Sequence, residues 1–407
     1  MAKSSVMCFR IKRFHITLFL VFGIGLSSVL TVSAQSDSTA GRKFSDIFQA
    51  RGYVKNLQTA AFLGFDDVIT QNFLHARINT RTYLTNSLTI GAELRSRIFY
   101  GEFIKAMPGF GDALEYDPGY WDFSSSLVNE DAFVLHAVFD RLWLNWASDK
   151  WDVRIGRQRI NWGVNLVWNP NDLFNTYNFV DFDYDERPGS DGIRVTRYLK
   201  GMSSVEVGAK FSKNPDSTVV AGLFKFNKWG YDLQVLSGIY YEDIALGLGW
   251  AGNLKTAGLK GEATYFHPRS NAEDTTGLLS TAVTIDYSFK APLYITGAVL
   301  YNSGGTSAPL SLTQAFSLGS DLTAKNLMPT RFSYFLQLNG TIKSLTTVSL
   351  AGIYGAGMNL MFLMPSATYA ISETWDIMLL AQLAYVDFQD DFTNAANMLF
   401  IRTKWSF

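Results

Sequence analysis

Beyond Arg51 the chain alternates. Apolar and polar side chains change places at every residue over segments of about ten, and a polar break closes each segment. The clearest segment is Phe73 to Leu84. Leu74, Ala76, Ile78, Thr80, Thr82 and Leu84 fall on one face, and His75, Arg77, Asn79, Arg81 and Tyr83 on the other. The next segment sets Leu88, Ile90, Ala92, Leu94 and Ile98 against Glu93, Arg95 and Arg97. Period two belongs to a strand, and Thr, Tyr and β-branched residues favour strands. Past the first thirty residues, no apolar run approaches the roughly 18 residues of a spanning helix. Yet the 407 residues are 47% hydrophobic and 15% aromatic. Such a chain is either a large soluble β protein or a closed barrel, the only strand architecture that crosses lipid with its backbone paired.

The first residues read as a leader. Lys3, Arg10, Lys12 and Arg13 precede the apolar stretch Ile16 to Leu30, and Val32-Ser33-Ala34 supplies small residues for cleavage. The stretch is shorter than the roughly 20 residues of a spanning anchor. Residues 1–34 are therefore expected to be a cleaved signal peptide, 35–47 a short N-terminal segment too small for a plug domain, and 48–407 the barrel. The single cysteine, Cys8, lies in the leader, so no disulfide framework or cysteine-rich metal site is expected. The chain has 35 Lys+Arg against 36 Asp+Glu, and losing the leader removes four cations and no carboxylate. That acidic balance excludes a generally basic surface, so nucleic acid is not an expected partner.

Eighteen alternating segments follow, from 48–62 to 396–407, and an even count suits an antiparallel up-and-down transmembrane β-barrel. Short polar breaks at Thr85–Ser87, Ser148–Lys150, Tyr198–Met202, Asn227–Gly230, Ser288–Pro292, Ile342–Leu345 and Ile371–Glu373 largely take turns with long connections. The long ones are Gly101–Asp131, Asn161–Ser190, Pro268–Thr276 and Asn302–Pro329. Barrels of this class have short periplasmic turns and longer outer loops. Tight turns near Tyr241 and at Tyr354–Met358 then fall on the outer side. Trp143, Trp146 and Trp151 bracket one short turn, with Trp229 and Trp405 at other strand ends, as in an interfacial girdle.

The last segment sets Leu399, Ile401, Thr403, Trp405 and Phe407 against Met398, Phe400, Arg402, Lys404 and Ser406. In an exported chain this resembles the C-terminal signature of outer-membrane barrels. The resemblance implies outer-membrane lipid as surroundings and barrel-assembly machinery as a partner that reads Trp405 and Phe407. A second motif is Arg154-Ile-Gly-Arg-Gln-Arg-Ile-Asn-Trp-Gly163, followed by Val167-Trp-Asn-Pro-Asn-Asp-Leu-Phe-Asn175. It is similar to porin-like outer-membrane families, in particular the alginate-export type and related channels for hydrophobic or acidic organic compounds. The resemblance implies a channel for small-molecule solutes.

Alternation places Arg77, Arg81, Glu93, Arg95, Arg97, Asp152, Arg154, Gln158 and Arg194 on lumen faces. A charge facing lipid at mid-depth costs about 2–4 kcal/mol, which makes the opposite register unfavourable. A guanidinium stays protonated and offers a planar fork to carboxylate or phosphate. One arc of the wall is thus expected to guide anionic or polar solutes, or to be braced by ion pairs with Glu93, Asp140 and Asp152. The pattern changes phase near Asp140-Arg141, as a bulge would make it. Downstream of Thr276 charges are sparse, with Ser333, Gln337 and Asn339 as lumen candidates. Asp172, Asp181, Asp183, Asp185 and Glu186 make the loop after Gly163 acidic, and folded inward they would oppose the arginines at a constriction. Glu186 stands where a calcium loop needs glycine, so neither metal nor cofactor is expected.

Two other classes remain open. A barrel lipase or protease needs a histidine in a triad, and beyond the leader only His75, His136 and His267 are present, none in such a motif. A scaffold or adhesin would use the long outer loops for binding alone.

Overall fold

The computed structural model describes residues 43–62, 68–176, 189–269, 276–308, 322–388 and 391–407. The expected leader, residues 1–34, lies outside them, as do Asp181, Asp183, Asp185 and Glu186. The strands are β1 (Phe48–Phe62), β2 (Val68–Tyr83), β3 (Leu88–Tyr100), β4 (Ser124–Glu130), β5 (Phe133–Ala147), β6 (Trp151–Gln158), β7 (Ser190–Tyr198), β8 (Ser204–Lys210), β9 (Val219–Lys228) and β10 (Tyr231–Tyr240). They continue as β11 (Asp243–Leu254), β12 (Ala257–Pro268), β13 (Leu278–Ser288), β14 (Leu293–Asn302), β15 (Phe332–Ile342), β16 (Thr346–Ala356), β17 (Leu360–Ala370), β18 (Trp375–Phe388) and β19 (Asp391–Ser406). All but β4 form an 18-stranded antiparallel ring, closed where β19 pairs with β1 from Tyr53↔Ser406 to Phe62↔Asn397. Each expected segment overlaps one of these ring strands.

Closure is finished by Phe407, whose N–H and C=O exchange 2.9 Å bonds with Gly52. A Cβ on Gly52 would lie 2.3 Å from the Arg77 carbonyl and 2.7 Å from the Phe407 ring, so only glycine lets the ring lie across this seam.

The barrel exterior is apolar. Val207, Val235, Leu246, Leu248, Ile285, Leu336, Leu350, Leu379 and Ile401 are all exposed, each on the face opposite its strand's buried residues. An apolar band that encircles a fold suits hydrocarbon rather than water. No helix among the described residues is long and apolar enough to cross a membrane, and the strands alone would make the crossing.

Two features refine the expected pattern. In the β3–β5 pairing Glu93 meets Arg141 and Leu94 meets Phe139, which leaves Asp140 as an extra residue. This bulge is the phase change seen in the sequence, and it puts Asp140 and Arg141 on the same side of the wall. It also corrects the placement of Trp143. That ring is buried on the lumen face with the Arg154 guanidinium 4.2 Å from its centre, whereas Trp146 and Trp151 are exposed at the strand ends. The second feature is β4, which lies in what reads as a long connection. It pairs with the outer half of β5, beyond the point where β6 stops.

Candidate functional site

Arginines crowd the lumen face of β2, β3 and β5–β7. Arg77 and Arg95 are directly opposite in the β2–β3 ladder, and Arg154 and Arg194 in the β6–β7 ladder. Like charges in such positions repel. Carboxylates relieve part of that repulsion. Arg77 bonds both Asp140 and Glu93, Arg95 reaches Asp140 at 2.6 Å, Arg141 reaches Glu93 at 2.9 Å, and Arg194 reaches Asp152 at 2.6 Å. Arg77 is fully buried. Arg154 donates to Asn145 at 2.9 Å, and Arg81 is exposed; neither has a carboxylate within ion-pair distance among the described residues. The arc therefore holds more than two guanidiniums per carboxylate. Gln158 is fully buried and donates to the Arg154 and Gly192 carbonyls at 2.9 and 3.2 Å.

The opposite wall is covered. After β6 the chain turns into the barrel, and Ile160, Trp162, Val167, Trp168, Leu173 and Phe174 are all buried. Ile160, Trp162, Leu173 and Phe174 pack on Val219, Leu223, Leu236 and Phe266, lumen residues of β9, β10 and β12. Val167 and Trp168 pack with Ala282, Leu300, Phe335 and Ile353, and with Leu327 and Met328 from the connection before β15. Apolar lumen side chains facing water would be costly, and this inner loop removes them from it.

One carboxylate holds the loop in place. Glu262 on β12 is fully buried, and its Oε1 accepts from the Val164 and Asn165 N–H groups at 2.5 and 2.8 Å. Its Oε2 accepts from the Asn171 N–H at 2.9 Å. Gln234 donates to the Trp162 carbonyl at 2.8 Å, and Thr264 to the Asn171 side-chain oxygen at 2.6 Å. Asn175 closes the base of the loop by accepting from the Ile160 N–H at 3.0 Å and donating to Ser190 at 3.0 Å. Asp172 is fully buried within this packing.

Between arc and loop lies a cavity of ≈ 760 Å³, lined by Arg95, Arg97, His136 and Asp140 on one side and Leu173–Thr176 on the other. Its floor in the wall is Arg157, a residue on the face the sequence assigns to lipid. Gly156 takes φ +115, with 2.3 Å between an added Cβ and the Leu142 carbonyl, and the strand ends two residues later. Arg157 then bonds Asp191 and Asp117 at 2.6 Å each, and its guanidinium covers the Phe123 ring at 4.7 Å. Burial opposes ionisation of Asp117, but the Arg157 bonds and the Phe123 and Gly119 N–H groups hold its carboxyl below the usual 3.8. This clamp seals β4 and its preceding loop into the wall above β6.

The cavity also contains a serine–histidine contact. The Ser124 hydroxyl donates to the Leu114 carbonyl at 3.1 Å, so its oxygen is the acceptor for His136 Nε2 at 2.7 Å. Nδ1 then accepts from Arg97 at 3.2 Å. These partners assign the proton to Nε2. A catalytic base needs the reverse, an Nε2 lone pair toward serine and a carboxylate on Nδ1–H.

No protein-family model matches the chain. No curated protein matches it either. Solved structures do. OccAB4 of Acinetobacter baumannii is 11% identical with a TM-score of 0.54, over 89% of this chain and 98% of that one. OccK11 (OpdR) of Pseudomonas aeruginosa is 11% identical with a TM-score of 0.54, over 88% and 95%. OccK5 (OpdH) of the same organism is 8% identical with a TM-score of 0.54, over 88% and 98%. In fold, this chain is similar to the Occ barrels. At these identities the likeness is one of fold alone, and it agrees with the porin-like architecture expected from the sequence.

Proposed function

We propose that this chain is an outer-membrane channel that passes small anionic, polar or amphiphilic solutes along its arginine arc. The observation that carries the reading is the opposition of a cation-rich wall to a docked inner loop, with an open space between them. Guanidiniums in excess of carboxylates attract anions and offer them paired donors, and the loop narrows the path so that the charges are felt. The Occ proteins, which are porins, share the fold. A catalytic reading is disfavoured by the direction of the Ser124–His136–Arg97 bonds, so the conversion of solute is not part of the proposal.

Outer-membrane lipid and the barrel-assembly machinery are the partners this reading requires. Trp405 stacks on Trp375 of β18 at 6.2 Å and meets the tilted Phe407 ring at 5.0 Å beside the seam. Deleting Trp405 to Phe407 is expected to abolish surface assembly while export continues, measured by cell fractionation and surface labelling. Normal surface levels would refute that role. The channel itself is tested by planar-bilayer recording of the refolded barrel. Discrete conductance steps are expected, and a folded, inserted barrel that never conducts would make it a scaffold.

A further inference from the structure

We infer that the rim of short turns binds anionic phospholipid headgroups. The inference rests on the membrane-spanning reading but not on transport. It begins with charge. Lys200, Lys255, Lys290 and Lys343 lie in these turns or at their tips, with Arg197 and Lys228 beside them, and all six are exposed. None has a carboxylate within ion-pair distance among the described residues. The opposite rim carries Glu102, Asp112, Asp122, Glu130 and Asp216. Asp149, Asp232 and Glu373 share the first rim and Lys105, Lys213, Arg269 and Arg331 the second, so the rims differ in their balance of charge, and a cation-rich rim at a lipid boundary is complementary to an anionic leaflet.

Two further observations point the same way. Arg197 shares its strand face with Ile193 and Val195, so it leaves the barrel on the lipid side, stacked 5.1 Å over the exposed Trp151 ring. A lipid-side guanidinium near the strand end needs a counter-ion at headgroup depth, and a phosphate fits its fork. Lys228 lies 4.4 Å over the Trp229 ring in the same way. The turn backbones add the second observation. Trp229, Lys255 and Lys343 take φ of 56, 58 and 51°, where glycine is the unstrained choice. Tyr241, with φ 56°, has a packing partner in Tyr240 at 4.3 Å. At the tips of tight hairpins this left-handed backbone is what the turn itself requires, and it leaves the Trp229, Lys255 and Lys343 side chains exposed beyond the strand ends.

The test uses the full barrel in phosphatidylcholine vesicles that contain spin-labelled phosphatidylglycerol or spin-labelled phosphatidylcholine. Quenching of rim tryptophan fluorescence should be at least about twofold stronger with the anionic label at low salt and should converge in 1 M salt. The triple variant Arg197→Gln/Lys228→Gln/Lys255→Gln should lose the preference, and Arg269→Gln at the opposite rim should keep it. Heat-modifiable migration of each variant establishes that the barrel is folded and inserted. Equal quenching by both labels in a folded, inserted wild type would overturn the inference. So would a preference that survives the triple substitution. Failure to insert at all would instead sink the membrane-spanning reading.

Discussion

The two halves of the lumen wall solve the same problem in opposite ways. On β2–β7 most of the inward side chains are charged, and only the apolar ones toward the outer end, Phe73, Phe99 and Val134, are covered, by Ile104 and Phe110 of the connection after β3. On β9–β17 the inward side chains are small or apolar, among them Ala221, Leu223, Leu236, Ala282, Ala298, Leu300 and Ile353, and the chain folds a loop over them. On the proposed channel reading, this division sets where solute runs. The apolar half is used up by packing, and the polar half is left facing the remaining space. In the proposed channel, the path would thereby take the chemical character of the one wall left open to contact.

The largest test of this division is the loop's attachment. Glu262→Ala removes the acceptor for three backbone N–H groups, and leaving a buried donor unsatisfied costs roughly 1–3 kcal/mol. The loop should leave the β9–β12 wall while the ring stays closed. Conductance should rise, and solutes too large for the wild type should enter liposomes. A folded Glu262→Ala barrel with wild-type conductance would mean that the loop is held by its apolar contacts alone.

A second test separates bracing from guidance within the arc. Arg77 is fully buried between Asp140 and Glu93, so Arg77→Met should destabilise the barrel by about 3–5 kcal/mol, the cost of stranding buried carboxylates. Arg81 is exposed, and Arg81→Gln should leave the unfolding temperature almost unchanged while reducing anion preference. If the two variants melt alike, the distinction between brace and guide is wrong.

The smallest effect is expected at the wall insert. The folded carboxyl of Asp117 is depressed below 3.8, so its contribution is present above that value and fades as pH falls through the lower, folded one. Hydrogen exchange in the 116–130 segment should therefore quicken only below about pH 4. Asp117→Asn should show faster exchange already at neutral pH. Exchange that quickens near pH 6 would point to another group.

Much of this was legible in the sequence, for a physical reason. A wall with one apolar and one polar face imposes a strict period of two, which located every ring strand. The same rule hid what breaks the period. Trp143 was misplaced because the bulged Asp140 shifts the register after it. Arg157 sits on the outward parity and is buried only because β6 ends early and the β4 segment covers it. In β4 itself, Ser124-Ser125-Ser126 gives a strand pattern no apolar face to detect. Glu262 is a single carboxylate on an ordinary strand, and nothing local says that a loop ninety residues upstream will cap it. The buried asparagines of the loop were signalled only by the Asn169-Pro-Asn-Asp172 turn.

The central claim is that the open wall selects by charge, and reversal potential across a salt gradient reads this directly. The account predicts an anion-selective wild type. In Arg95→Gln/Arg154→Gln the potential should move toward zero, with the difference shrinking at 1 M salt, where the Debye length is about 3 Å. A double variant that folds and conducts with unchanged selectivity, or a wild type that prefers cations, would contradict it.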